Sequence, residues 1–513
     1  MFNKRQCFIF RTILYKYYLE FQSLSLTDII NLSCRVQNDV FFVKDWDYDR
    51  KVFYSKLVIH YLYNNLIMVE NKLDLIFKAY DVRGVYGDTL TEQTAYNIGI
   101  AFSKFVKADK IIIGHDGRTS NFSIFNAVAS GIESNGKQVY YIGTVPTDVV
   151  YSLSGLMNLP GLIITASHNP KEWNGFKFCN SGASPIGIES GLLQIKELAS
   201  ESQELYLSAT QHENENVIPT YMNHLKTIVN PDDITSSMKF GIDGGNGAIG
   251  SVIESLTSTY NLNYDGIYMD VDGNFPNHPA DPSNPDNLIE LVELVLNNKY
   301  QFGVAFDGDA DRAVFSDDKG NIISGSIMTA IISDWLLEKR GEIKVVYNVN
   351  VPPSVVNYLT GRGINMVRSK VGHSYIKQIM RDEDADFGGE HSAHFYLREN
   401  FYADSGIVTL LIFLQILSEK KQTPSELISS YNFFPSSGEI NFTVKNVHES
   451  IQKVKDSFEK SFDTLDGISY FEENYWFNIR GSNTEPKLRL NAEAENIDLL
   501  DSLVKKIMNI IEE

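Results

Sequence analysis

Hydrophobic and polar positions follow two rhythms over most of the chain. Short apolar runs, Ile111–Gly114, Leu162–Thr165, Phe240–Ile242, Phe302–Phe306 and Val345–Tyr347, have strand length. Between them lie longer segments, Glu92–Phe105, Ser251–Tyr260 and Leu288–Asn297, whose apolar positions recur at helical spacing. Strand alternating with helix predicts α/β domains with parallel or mixed sheets. The longest near-apolar run, Gly406 to Leu417, is too short to span a bilayer and reads as a buried core helix. A chain of 513 residues exceeds one hydrophobic core and divides into three or four domains.

Four apolar runs end in dense polar loops: Leu162-Ile-Ile-Thr-Ala-Ser-His-Asn-Pro170, Phe302-Gly-Val-Ala-Phe-Asp-Gly-Asp-Ala-Asp-Arg312, Phe387-Gly-Gly-Glu-His-Ser-Ala-His-Phe395 and Trp476-Phe-Asn-Ile-Arg-Gly-Ser-Asn-Thr-Glu-Pro486. Loops beyond strand ends are where α/β folds collect ligand chemistry. One such loop per domain predicts four domains around a shared cleft. The first loop offers Ser167 as a nucleophile beside His168, with Lys177 further on; its plain alternative is a helix N-cap in a turn closed by Pro170. In the second, Asp307, Asp309 and Asp311 alternate, and three such carboxylates repel one another without a cation. Hard oxygen ligands suit Mg²⁺ working beside phosphate oxygens. An EF-hand needs Gly and Glu where Arg312 and Asp318 stand, so the rival to a metal site is a solvated acidic turn. In the third, Glu390, Ser392 and His394 alternate and in extended backbone would face one way, as sugar-hydroxyl and proton-transfer groups or as a merely structural loop. The fourth sets Arg480 among Ser482, Asn483 and Thr484, a phosphate cradle or an ordinary turn. Nucleophile, metal, polyol contact and phosphate clamp together are the inventory of phosphoryl transfer to a sugar hydroxyl.

Residues 1–67 stand apart, with no Gly and no Pro although the chain has 35 and 15. Nine Lys/Arg against six Asp/Glu give them +3, where the whole chain carries −20. An α/β domain needs Gly and Pro for its turns. The stretch is expected to be a helical extension or no part of the working protein, Met68 being a plausible start. The acidic balance, with a pI of about 5.0, argues against non-specific nucleic-acid binding but leaves room for a locally positive cleft. Three cysteines (Cys7, Cys34, Cys179) without a close CxxC pair indicate neither a disulfide scaffold nor structural zinc, and fit a reducing cytoplasm. Lys4, Arg5, Arg11 and Lys16 break up any signal-peptide core, and no membrane association is expected.

From about Leu75 onward the chain resembles the α-D-phosphohexomutases, in particular the phosphomannomutase/phosphoglucomutase group. The residues that carry this are Phe77-Lys-Ala-Tyr-Asp-Val-Arg-Gly84, Gly114-His-Asp-Gly-Arg118, Gly143-Thr-Val-Pro-Thr147, Thr165-Ala-Ser-His-Asn-Pro170, Asp272-Gly-Asn-Phe-Pro-Asn277, Asp307-Gly-Asp-Ala-Asp-Arg312, Gly372-His-Ser-Tyr-Ile-Lys377, Gly389-Glu-His-Ser-Ala-His394 and Arg480-Gly-Ser-Asn-Thr-Glu-Pro486. The resemblance implies three related α/β domains and a smaller C-terminal α+β domain around a central cleft. The boundaries expected are 1–73 (extension), 74–218 (phosphoserine), 219–321 (metal), 322–433 (sugar recognition) and 434–513 (phosphate binding).

The same resemblance implies that Ser167 carries the phosphoryl group and joins Asp307, Asp309 and Asp311 around Mg²⁺. Arg83, Lys177 and His394 would position groups or shuttle protons. Glu390 and Ser392 would read O3 and O4, and Arg480, Ser482, Asn483 and Thr484 would grip the phosphate not being transferred. Tyr80, His168, Arg312, Gly372 and His373 fall among its substrate-contact positions. The implied reaction passes through hexose 1,6-bisphosphate, which also serves as activator, and the partners are small hexose phosphates. Two departures stand out. Asn348-Val-Asn350 replaces a frequent Asp-x-Lys, which removes a basic contact. Ser392-Ala-His394 with Asp404-Ser-Gly406 looks more like phosphomannomutases than phosphoglucomutases, so mannose phosphate is the expected substrate, with glucose phosphate second. A metal-dependent phosphatase or a non-catalytic sugar-phosphate sensor are the rival classes.

Overall fold

The computed structural model describes residues 72–201, 203–431, 433–444, 446–481 and 487–512. The chain divides into two compact units, 1–75 and 76–513, and the fold described is that of the second. The expectations for residues 1–67 and for Ser482, Asn483 and Thr484 lie outside the described residues.

Four sheets follow one another along the chain. The first holds β1 (Val82–Val85), β2 (Lys110–His115), β3 (Gln138–Thr144), β4 (Gly161–Ile164) and β5 (Trp173–Asn180), with β6 (Ser184–Pro185) on β5. The second holds β7 (Lys239–Asp243), β8 (Asn263–Ile267), β9 (Gly303–Phe306), β10 (Ala313–Ser316) and β11 (Ile322–Ile323). The third holds β12 (Lys344–Asn348), β13 (Asn365–Ser369), β14 (Phe387–Gly389), β15 (Phe395–Leu397) and β16 (Ala403–Asp404). The fourth holds β17 (Ser436–Thr443), β18 (Ile468–Phe471), β19 (Tyr475–Gly481) and β20 (Lys487–Ala494). The expected apolar runs coincide with strands, Thr165 and Phe302 each lying one residue outside β4 and β9, and the three helical segments are helices at Glu92–Phe105, Ile253–Tyr260 and Ile289–Asn298.

The first three sheets share one topology. Three parallel strands, in spatial order β3-β2-β4, β8-β7-β9 and β13-β12-β14, are joined through helices. A fourth strand (β5, β10, β15) then turns back antiparallel against the third. A fifth antiparallel strand closes that edge, supplied by β11 and β16 in sequence but by the earlier β1 in the first sheet. The fourth sheet is wholly antiparallel, in the order β17-β20-β19-β18.

The central parallel strands are buried along nearly their whole length, as β4 and β9 show at every residue, which is why they read as continuous apolar runs. One contiguous apolar core underlies the first three sheets, and a second, built on Phe477, Ile479, Leu490 and Ile507, belongs to the fourth. The helix Gly406–Lys420 is buried from Gly406 to Leu417, as its all-round apolarity predicts. Among the described residues no helix is long and apolar enough to cross a membrane.

Candidate active site

The shared topology puts three of the four polar loops in one structural position. Each is the turn from the third parallel strand into its antiparallel partner: Ser167 lies between β4 and β5, Asp307 to Asp311 between β9 and β10, and Glu390 to His394 between β14 and β15. The loops meet directly. Ser167 Oγ donates to Asp307 Oδ2 at 2.6 Å, and Arg312 and His394 form a backbone bridge.

Ser167 is buried and holds φ at 50°, in the left-handed region. The turn does not open a helix, so the N-cap reading does not hold. Its N–H donates to Thr165 Oγ1 (2.8 Å) and its carbonyl accepts from Arg118 Nη2 (2.7 Å). Arg118 also donates to the carbonyls of Asn169, Pro170 and Trp173, while Asp116 accepts from its Nε at 3.2 Å. One guanidinium thus ties down the whole serine loop. Arg83 adds Nη1 bonds to the Ala166 carbonyl (3.1 Å) and to Asn169, with Asp81 on its Nε at 2.7 Å. Arg83 pairs with Gly175 across β1 and β5, so Lys177, two residues on, projects from the same face.

Asp307, Asp309 and Asp311 are buried, and one oxygen of each lies within 4.8 Å of the others. Their remaining oxygens are held from outside: Thr147 Oγ1 donates to Asp309 Oδ2 (2.6 Å), and Lys177 Nζ bridges Asp309 Oδ2 (2.7 Å) and Asp311 Oδ2. Asp309 Oδ1 and Asp311 Oδ1 have no hydrogen-bond partner among the described residues. Buried carboxylates gathered this closely, with oxygens that lack hydrogen-bond donors, are what a hard divalent cation satisfies, and the set fits Mg²⁺. Asp311, His394 and Asp404 also gather, but Asp404 already holds the Lys377 ammonium at 2.6 Å.

The charges sort themselves accordingly. Burial, then the Asp311 and Asp309 charges, push the Asp307 carboxyl well above the usual range. Burial pushes Asp311 the same way, but Lys177 and His394 outweigh it and hold Asp311 well below. Lys177 is likewise opposed by burial, yet Asp309 and Asp311 raise it and keep it an ammonium. His168 is lowered well below its ordinary value by burial, then by the Arg312 and Arg83 charges. Its neutral Nδ1 accepts from Arg312 Nη2 (2.9 Å) and stands 3.2 Å from Ser167 Oγ.

The third loop differs from the extended backbone expected of it. Residues 390–394 form a tight turn in which Ala393 N–H donates to the Glu390 carbonyl (3.1 Å) and Ala393 has φ 64°. Curling, not pleating, brings the side chains together: Ser392 Oγ lies 3.0 Å from His394 Nδ1, and Arg312 Nε donates to His394 Nε2 at 3.1 Å. Glu390 is buried and fixed by Asn348 Nδ2 (2.6 Å) and Tyr396 OH (2.5 Å). The Asn348 departure thereby gains a reason. An amide there donates to Glu390, whereas an Asp would face it with a second negative charge.

Tyr80, Gly372 and His373 form a further cluster. The Tyr80 and His373 rings meet edge-on at 5.3 Å, and Gly372, with φ 136°, lies against the Tyr80 ring where a Cβ would come within 2.9 Å. From the fourth sheet Arg480 is buried, and Arg489 pairs with it across β19 and β20. Glu439 sits 3.6 Å from Arg480 Nη2 and 3.1 Å from Arg489 Nη1, and Nε of both arginines has no acceptor among the described residues. The Arg489 charge is felt at His168 on the serine loop. Arg118, Thr147, Asn348 and Arg489 were not assigned from the sequence. Arg118 lay inside a quoted motif, and Arg489 two residues past Lys487 on an alternating strand; only their buried contacts reveal them.

The chain matches four domain families: Phosphoglucomutase/phosphomannomutase, alpha/beta/alpha domain I over residues 74–205, domain II over 219–320, domain III over 324–434 and the C-terminal domain over 439–510. A phosphomannomutase of Vibrio cholerae is 36% identical over 453 residues, covering 85% of this chain and 98% of that protein. One of Methanocaldococcus jannaschii is 35% identical over 442 residues, covering 85% of this chain and 97% of the relative. A crystal structure of a phosphoglucomutase/phosphomannomutase family protein from Burkholderia thailandensis superposes with a TM-score of 0.75 at 27% identity, over 86% of this chain and 97% of that one. With four linked domains, the first three of which bring a serine, an acidic triad and a histidine turn into contact, the chain belongs to the phosphoglucomutase/phosphomannomutase family, and is an enzyme of the isomerase class that transfers phosphoryl groups intramolecularly.

Proposed function

We propose that this enzyme interconverts mannose 6-phosphate and mannose 1-phosphate through phosphorylated Ser167 and a hexose 1,6-bisphosphate. The observation that carries the reading is the contact of the Ser167 hydroxyl with a buried aspartate triad that has donor-free oxygens. Relatives named phosphomannomutase support the choice of sugar, as does the Ser392-Ala-His394 wording. Glucose phosphate is a second substrate in this reading, because O3 and O4 are equatorial in both sugars.

Asp307, Asp309 and Asp311, with an oxygen on Ser167, would hold Mg²⁺, which supplies charge stabilisation for the transferring phosphoryl group. Phosphoserine gives its phosphoryl group to the free hydroxyl of the hexose monophosphate; the new P–O bond forms as the Ser167 Oγ–P bond breaks. The hydroxyl proton passes to a neighbouring base, for which His394 is the candidate, while Lys177, held as an ammonium, positions the reacting groups and Arg83 holds the loop carrying Ser167. The bisphosphate turns over, and its other phosphoryl group returns to Ser167. Glu390 and Ser392 bind O3 and O4. Arg480, Arg489, Ser482, Asn483 and Thr484 grip the idle phosphate, and Tyr80, His168, Arg312, Gly372 and His373 line the sugar and its phosphates. Hexose 1,6-bisphosphate activates by charging an unphosphorylated Ser167.

The test is isomerisation of mannose 1-phosphate and glucose 1-phosphate measured side by side, with intact-mass analysis. Turnover of both with mannose phosphate preferred, a phosphorylated fraction mapping to Ser167, and an inactive but folded Ser167→Ala are expected. Phosphate on another residue sinks the assignment. A tenfold preference for glucose 1-phosphate, about 1.4 kcal/mol, reverses the sugar ranking. Release of inorganic phosphate without isomerisation would make the protein a phosphatase.

A further inference from the structure

Lys377 lies on the helix His373–Asp382, one turn beyond His373, and is buried. Its ammonium sits 2.6 Å from Asp404 Oδ1, 3.8 Å from the centre of the Tyr151 ring and 3.4 Å from His373 Nδ1. None of the roles assigned above uses it. The spacing of four residues puts Lys377 and His373 on one helix face. Asp404 on β16 and Tyr151 on the helix Thr147–Met157 close the cage from two other elements.

Burial lowers the Lys377 pKa and the Asp404 carboxylate, 2.6 Å away, opposes it; the ammonium that this pair holds offers only protons, so the imidazole nitrogen it faces is the one that carries none. The proton of a neutral His373 then sits on Nε2. That nitrogen is buried and has no partner among the described residues. Burial first, then the Lys377 and Lys177 charges, hold the ring well below its ordinary pKa, so it stays neutral. The Asp311 charge is also felt at this ring. A buried, unpartnered N–H donor among these groups lacks only an acceptor.

We propose that Lys377 is a positioning residue: its ammonium, caged by Asp404 and Tyr151, fixes His373 in the tautomer that offers Nε2–H to an oxygen of the hexose phosphate. The identity of the acceptor rests on the mutase reading, whereas the tautomer is a property of the unliganded protein. A ring without this neighbour shares its proton between both nitrogens and loses part of its donor strength. The effect belongs to substrate binding, so it should appear in KM before kcat.

Histidine-selective nitrogen-15 labelling of the full chain, read by long-range proton–nitrogen correlation and assigned with His373→Asn, reports the tautomer directly. The wild type should show Nε2–H. The double variant Lys377→Met/Asp404→Asn removes both members of the buried pair, so no lone charge is left inside. It should lose the tautomer preference and raise KM for mannose 1-phosphate about tenfold while kcat changes less than about twofold. Nδ1–H in the wild type overturns the proposal, and so does a folded double variant with unchanged tautomer and KM. If the double variant does not fold, the wild-type tautomer alone decides. A wild type unable to isomerise hexose phosphates would defeat the mutase reading and leave the tautomer result standing.

Discussion

Ser167 occupies a backbone conformation that residues with a Cβ seldom adopt, and its surroundings hold it there. Thr165 takes its N–H, Arg118 takes its carbonyl, and Gly308 packs its Cα against that same carbonyl. A Cβ on Gly308 would stand 2.5 Å from the Ser167 oxygen, which is inside contact distance and leaves the serine loop to move. Gly308→Ala should therefore lower kcat/KM about 100-fold or more, since a displacement of about 1 Å at a reacting group has that effect. Thermal unfolding should shift by only a few degrees. Activity within threefold of wild type would show that the carbonyl contact does not position Ser167. Ser167 and the three aspartates were legible in the sequence because polar residues crowd the end of an apolar strand. Gly308 and Arg118 stood in plain view inside the same motifs, but no spacing tells what a buried guanidinium or an absent side chain faces.

The β-hairpin is the element that repeats. In three sheets the turn into the fourth strand carries the candidate site residues, and in the fourth sheet Arg480 lies one residue before the end of β19. Strand positions could be read from the apolar runs because these strands are covered on both faces. The conformation of the turns could not, and residues 390–394 show why: alternation of Glu390, Ser392 and His394 mimics a pleat, while Ala393 in the left-handed region curls the backbone. Register hid Arg489 in the same way. Like charges directly opposite across antiparallel strands repel, and one glutamate does not neutralise two guanidiniums. An anion at that spot relieves the repulsion. Inorganic phosphate should raise the melting temperature of the wild type, and the rise should shrink in Arg489→Gln, with KM for hexose phosphate up about tenfold. An undiminished phosphate shift in the variant would remove Arg489 from the clamp.

At the scale of the whole molecule a chain of net charge −20 buries several cations, Arg83, Arg118, Lys177, Arg312 and Lys377 among them, and one buried acid joins three parts of the chain. Asp148, at the start of the helix Thr147–Met157, accepts from Tyr221 OH at 2.5 Å and from Ser405, so it ties the first sheet's helix to two later parts of the chain. Burial pushes its carboxyl up to about 7, against those two hydrogen bonds and with the Asp404 and Asp311 charges adding to the rise. The folded state therefore binds this proton more tightly than the unfolded chain, where the group titrates near 3.8. Below that value both states are protonated and Asp148 costs nothing. As pH climbs from about 4 to about 7 the unfolded chain releases this proton while the folded state still holds it, and stability falls by up to about 4 kcal/mol before levelling off above about 7. Asp148→Asn removes the titration while keeping a polar group for Tyr221 and Ser405. The variant should melt higher than the wild type at pH 8, and the difference should vanish near pH 4. Equal melting temperatures at both pH values would mean that water or local rearrangement already relieves the buried carboxylate.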